Sequence, residues 1–228
     1  MIDRLLGLIA PHICCSCGVK NAILCQSCRF DIIDEPFLQC VECLQPTPGS
    51  NICSGCRAGL RAQMCWVVSQ RTGGLKKLID LYKFDHVHEA ADRLAELLDA
   101  RIAELPLDTI VTYVPDIANH RRQRGHDHMQ LVATRFAARR GLQVVPLLSR
   151  ATQRSQRGLK RVDRLKNQQD AFRVDASPDP ETPVLLIDDI YTTGATLRAG
   201  VDALQAAGSA TVYAAIIARQ PLDHSHDL

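Results

Sequence analysis

Val184-Leu185-Leu186-Ile187-Asp188-Asp189-Ile190-Tyr191-Thr192-Thr193-Gly194-Ala195-Thr196-Leu197 is the stretch whose reading decides the fold. Four consecutive aliphatic residues, Val184 to Ile187, suit a strand buried on both faces, as in a parallel sheet. Two acids end the strand, and a turn of small hydroxyl residues with one glycine opens a helix expected over Thr196–Ala207, before Gly208. In parallel sheets, ligands bind at the carboxyl ends of strands. The N–H groups and dipole at a helix start attract phosphate. Thr192, Thr193 and Thr196 add hydroxyl donors, and Gly194 lets the backbone approach closely. The stretch therefore reads as a phosphate cradle beside two carboxylates. A sugar phosphate fits, its phosphate in the Thr/Gly loop and its ribose hydroxyls on Asp188 and Asp189. The competing reading is a plain strand-to-helix turn with an Asp cap, but capping needs only one carboxylate and no glycine.

Working outward, strands and helices alternate on both sides of this stretch. Strands are expected at Cys65–Ser69, Thr109–Val114 (halted by Pro115), Val144–Leu148 and Thr211–Ala218. Gly73-Gly74 reads as a chain break. Helices are expected from there to about Phe84, over roughly Glu89–Glu104 and over Asp127–Arg140, the last capped by Gly141. Alternation of this kind implies a mainly parallel α/β sheet covered on both faces. A mildly apolar start, Met1 to Ala10, reads as a short amphipathic helix rather than a signal peptide.

The N-terminal quarter is different. Of the 10 cysteines, eight form four CxxC pairs, Cys14/Cys17, Cys25/Cys28, Cys40/Cys43 and Cys53/Cys56. A two-residue gap sets both thiolates on one metal, whereas a disulfide framework has no need of it. Four pairs supply two zinc sites of four thiolates each. Neighbouring pairs are expected to share a metal; a crossed scheme stays open. Cys15 and Cys65 are left as non-ligands. The segment is rich in turn residues and too short of apolar stretches to build a sufficient core alone, so metal must supply much of its folding free energy. The expected division is 1–62 for a double zinc ribbon with a short leading helix and 63–228 for the α/β domain. Zinc, the absence of a targeting signal and the absence of any apolar run near the ~20 residues of a bilayer span point to a cytoplasmic protein.

The formal net charge of +2 hides an asymmetry: residues 119–166 hold 13 Lys and Arg against two acids. This block is an anion-binding candidate or a solvated basic face. The zinc segment has no excess of positive charge.

The 184–197 stretch resembles the phosphoribosyl pyrophosphate (PRPP) motif of type I phosphoribosyltransferases at every position. The chain from about Leu8 to Arg219 is similar to the ComF/GntX family of competence-related, phosphoribosyltransferase-like proteins, which carry a double zinc ribbon ahead of the transferase fold. Leu81-Tyr82-Lys83-Phe84 is similar to the family's lysine-bearing block, and Gln156, Arg164, Asn167, Ala171 and Phe172 match another. Arg122-Gln123-Arg124-Gly125-His126-Asp127-His128 resembles a third block, with His126, Asp127 and His128 in place of the family's Phe, Asn and Gln.

The resemblance implies PRPP binding by Asp188, Asp189, Thr192, Thr193, Gly194, Ala195 and Thr196. It places pyrophosphate near Arg121 and Arg124, and Lys83 either reaches a phosphate or lies on an exposed helix end. Magnesium would accompany PRPP, and 149–167 would be a loop that closes over it. If there is turnover, it is pentosyl transfer, with Asp188 and Asp189 as the catalytic acids. The family association adds single-stranded DNA and DNA-processing proteins as partners in DNA uptake. Other readings are a non-catalytic PRPP or nucleotide sensor and a salvage nucleobase phosphoribosyltransferase. The scarcity of aromatics in the basic block supplies little for base stacking.

Overall fold

A computed structural model describes residues 12–84, 87–116, 127–151 and 171–221. The leading helix, Arg121, Arg124 and nearly all of the 149–167 loop lie outside them.

The elements in chain order are α1 Gln26–Asp34, α2 Ser54–Leu60, β1 Met64–Gln70, α3 Gly73–Phe84, α4 Glu89–Arg101, β2 Ile110–Tyr113, α5 His128–Arg140, β3 Gln143–Val144, β4 Leu148–Arg150, β5 Phe172–Val174, β6 Val184–Tyr191, α6 Ala195–Ala206 and β7 Val212–Arg219. Five strands form a sheet of order β1-β7-β6-β2-β3, with every pairing parallel. β4 and β5 form a separate antiparallel pair. The expected strand at 144–148 is thus two short strands in different sheets. Pro146 lies between them and cannot donate to a ladder.

β6 is central. Val184, Leu185, Leu186 and Ile187 have no exposed surface, as the unbroken aliphatic run requires. Leu185 and Ile187 enter one hydrophobic cluster with residues of α3, α4 and α5. Val184 and Leu186 enter another with residues of α6 and the β4–β5 pair. β6 does not stop at Ile187: it runs on to Tyr191, paired with β7 through Tyr191↔Arg219. On its other side the pairing with β2 ends at Tyr113↔Ile187. Pro115 follows, so the ladder cannot continue. The last residues of β6 therefore lack a β2 neighbour, and a crevice opens there. From β2 the chain moves outward to β3, and from β6 it moves the other way to β7, so the crevice lies at the topological switch point of the sheet.

The cysteine-rich segment clasps the β1 edge. Cys14, Ile23, Leu24 and Cys28 join the first cluster beside Trp66 and Val68. Phe37, Val41, Ile52 and Leu60 join the second beside Cys65 and Val67. The open edge of β1 is satisfied from this segment: Asn51 N donates to Cys65 O (2.7 Å) and Val67 N to Asn51 Oδ1 (2.8 Å). Arg101 Nε of α4 takes Val67 O (3.0 Å). An edge covered in this way offers no template for pairing with another chain.

Gly73-Gly74 is not a break but the start of α3. A Cβ on Gly74 would lie 2.8 Å from Ser16 Oγ, so glycine is what lets the turn between Cys14 and Cys17 sit against this helix. No helix among the described residues is long and apolar enough to cross a membrane.

Candidate functional site

The eight paired cysteines converge as two clusters, Cys14/Cys17/Cys25/Cys28 and Cys40/Cys43/Cys53/Cys56, the ligand atoms of each lying within 4.8 Å of one another. Neighbouring pairs share a cluster, as expected. The two clusters repeat one design. Each first pair sits in a tight turn closed by an antiparallel bridge, Ile13↔Lys20 and Gln39↔Pro46. Gly18 (φ 82°) and Leu44 (φ 61°) take the left-handed position that follows each turn. Each second pair sits on a helix start: Cys25 and Cys53 are N-caps, with Cys28 and Cys56 in the first turn. The Cys17–Cys25 and Cys43–Cys53 sulfurs are 3.6 and 3.7 Å apart. A tetrahedral zinc with bonds of about 2.3 Å calls for sulfurs about 3.8 Å apart. Both sets thus fit a structural zinc ion. Cys65 is fully buried, and Cys15 directs its thiol to Gly74 O at 3.9 Å; neither belongs to a cluster.

A cleft of about 250 Å³ lies at the sheet's switch point. Lys83, Phe84, Asp116, His128, Arg150, Asp188, Asp189 and Thr196 are among the residues that line it. Asp188 and Asp189 occupy the part of β6 beyond its pairing with β2, and successive side chains of a strand point to opposite faces. Asp189 turns to the α3/α5 side. Its Oδ2 pairs with Lys83 Nζ at 2.5 Å and with His128 Nε2 at 2.7 Å. Asp188 is 8% exposed, less open than a solvent-facing strand end would suggest, and its Oδ1 accepts Asp189 N at 2.9 Å.

His128, which the sequence shows only as a departure from the family's Gln, holds the centre of the cleft floor. The imidazole bridges two carboxylates, with Nδ1 2.5 Å from Asp116 Oδ2 and Nε2 on Asp189. Tyr82 Oη donates to its backbone carbonyl at 2.6 Å. Asp127 caps α5 by accepting Met129 N (3.1 Å), and its other oxygen accepts Asp116 N (2.8 Å). Asp116, Asp127 and His128 are close enough to hold a metal ion. Both Asp127 oxygens already accept N–H groups, however, and the imidazole occupies the place of a cation.

Burial opposes charge on His128, but the hydrogen bonds to Asp116 and Asp189 prevail and raise its pKa to about 9. Burial also opposes charge on Asp189, and His128 and Lys83 overcome it, holding the carboxyl below the ordinary carboxylate range. Burial and the adjacent Asp189 charge push Asp188 upward. Two neighbouring acids are thus driven apart: Asp189 is a fixed anion, while Asp188 is the readier to carry a proton.

The expected cradle follows at once. Gly194 (φ 75°) is the N-cap of α6, Thr192 and Thr193 are exposed, and Thr196 faces the cleft. Lys83 reaches the site, although its partner here is a carboxylate. Arg150 joins the site without any local sequence signal. Its Nε donates to Pro115 O (3.1 Å) and its guanidinium lies 4.9 Å over the Phe172 ring. That stacking holds a planar cation at the cleft wall, a suitable arrangement for meeting a phosphate.

No family model matches this chain, and no curated protein matches it. The fold and sites define an α/β protein with a five-stranded parallel sheet and a polar switch-point cleft. Its sheet edge is clasped by two tetracysteine clusters, each able to hold zinc.

Proposed function

We propose that the cleft binds PRPP and that the chain is a type I phosphoribosyltransferase-like protein of the ComF/GntX kind, a cytoplasmic protein engaged with incoming single-stranded DNA. The observation that carries this reading is the meeting of Asp188, Asp189 and the α6 start at the switch point, where β6 runs on past β2. A 5′-phosphate fits the N–H groups and hydroxyls of Thr192 to Thr196. The ribose hydroxyls then lie toward Asp188 and Asp189, and the pyrophosphate toward Arg150. Magnesium would accompany the pyrophosphate and neutralise part of its charge; such a cation retains waters and needs only one or two protein carboxylates.

On this reading the chain's own groups orient the ribose and compensate charge. The anionic Asp189 faces the sugar as positive charge develops at its anomeric carbon. Asp188, protonated or not, can hydrogen-bond a ribose hydroxyl. Lys83 exchanges its Asp189 contact for a phosphate oxygen when the ligand arrives. Transfer to an acceptor nitrogen and sensing without turnover use the same pocket. A pyrophosphate-release assay over a panel of nucleobases, run beside calorimetry with Mg-PRPP, separates them: binding with release marks a transferase, and binding without release marks a sensor. No binding by the parent protein would remove the reading.

A further inference from the structure

The back of the Thr/Gly loop is fastened to the second cysteine cluster. Glu42 lies between the ligand pair Cys40 and Cys43. Its Oε1 pairs with Arg198 Nη1 at 2.6 Å, and Arg198 Nη2 donates to Thr193 O at 2.7 Å. Arg198 belongs to the first turns of α6, so one guanidinium spans the metal turn and the loop. The neighbouring Val41 O accepts Arg219 Nε at 3.1 Å, and Arg219, 4% exposed, lies 5.9 Å over the Tyr191 ring. Tyr191 fills the underside of the loop: a Cβ on Gly194 would sit 2.1 Å from its Oη and 2.7 Å from Arg198 Nη1. Both residues between the two cysteines thus reach, through an arginine, the wall against which residues 191–194 rest.

We infer that Glu42 and Arg198 are positioning residues, and that the second tetracysteine cluster preorganises the anion-binding loop. Thr193 O is turned to Arg198, while Thr193 Oγ1 accepts from Ala195 N at 3.5 Å, so both ends of Thr193 are tied at the start of α6, where the first N–H groups have no partner within the helix. The Arg198 side chain is one-third exposed and Glu42 less so. This link is not a surface ion pair free to rearrange, because one end is fixed in a metal turn and the other in a helix. Loop order at rest matters for binding, because a preformed loop does not have to be ordered by its ligand. The inference that this order serves a phosphate rests on the proposed function; the mechanical link does not.

Amide hydrogen exchange on the full-length, zinc-loaded protein tests the link. Glu42→Ala should speed exchange across 192–198 about tenfold, while exchange in α3 and α5 and zinc content stay at parent values. Arg198→Lys keeps a cation for Glu42 but not the fork that reaches Thr193 O, and should give an intermediate effect. Glu42→Gln, which keeps the shape and can still accept from Arg198, should lie closer to the parent. A uniform rise in exchange, or none within the loop, overturns the inference. The second arm titrates Mg-PRPP, and Glu42→Ala should weaken it about tenfold. Loosened exchange with unchanged affinity also overturns the inference. If the parent binds no PRPP while the loop still loosens, the link stands and the proposed function fails.

Discussion

His128 Nε2 lies 2.7 Å from Asp189 Oδ2, so the first residue of α5 and the far end of β6 meet at one carboxylate oxygen. The same oxygen receives Lys83 from the end of α3. Three elements distant in sequence are thereby gathered on the cleft floor, and Asp116 holds the imidazole from its other side.

A pH signature follows. The folded pKa of His128, about 9, stands above the ordinary value of about 6.5. A cation raised in this way stabilises fully below about pH 6.5 and loses its contribution as pH climbs through about 9. The shift corresponds to on the order of 3 kcal/mol. Urea midpoints measured between these limits should fall with pH in the parent and be markedly flatter in His128→Gln. Equal slopes would mean that the imidazole carries no charge between Asp116 and Asp189.

Zinc should hold the whole chain, because the cysteine-rich segment shares both hydrophobic clusters with the sheet. Elemental analysis should find two zinc ions per chain. Chelation should melt the environment of Trp66 in β1 and the helical signal in one transition, given that a structural zinc contributes on the order of 10 kcal/mol. A Trp66 signal that survived full zinc removal would show that the sheet stands alone.

Much of this was legible in the sequence because it was local. CxxC spacing needs only four residues to put two sulfurs on one metal, and the aliphatic run with its acids placed the start of β6 and both ends of α6 within a residue, though β6 runs four residues past the expected Ile187. What stayed hidden was long-range. His128 has meaning only once Asp116 and Asp189 lie on either side of it. Glu42 and Arg198 are 156 positions apart. Gly73-Gly74 looked like a break because nothing nearby in sequence shows that Ser16 packs against Gly74. The strand expected at 144–148 failed at Pro146, which divides it between two sheets.

Gly194 should be the least replaceable glycine of the cleft. Gly194→Ala meets Tyr191 Oη as well as an unfavourable φ, whereas Gly141→Ala meets only the φ, with open space around it. The second should cost about 1 kcal/mol and the first clearly more. Thermal melts of the two variants check the order; equal losses would mean that the loop is not seated on Tyr191.

The surplus of positive charge in 119–166 should give weak, sequence-tolerant binding to a single strand. Its log affinity should fall with log salt by roughly 0.7 per phosphate neutralised. Changing Arg157, Lys160 and Arg161 to Ala should flatten that slope. Absence of any strand binding by the parent at low salt would reduce the block to a loop that serves the cleft or to a solvated face.

Isothermal calorimetry of Mg-PRPP against the parent and the Asp188→Asn/Asp189→Asn double variant tests the central claim most directly. Asn keeps the size of each side chain and removes its charge, and circular dichroism would confirm that the variant is folded. The account predicts one PRPP per chain on the parent and a loss of at least tenfold in affinity on the variant. Binding of equal strength to both, or no binding to the parent, would contradict it.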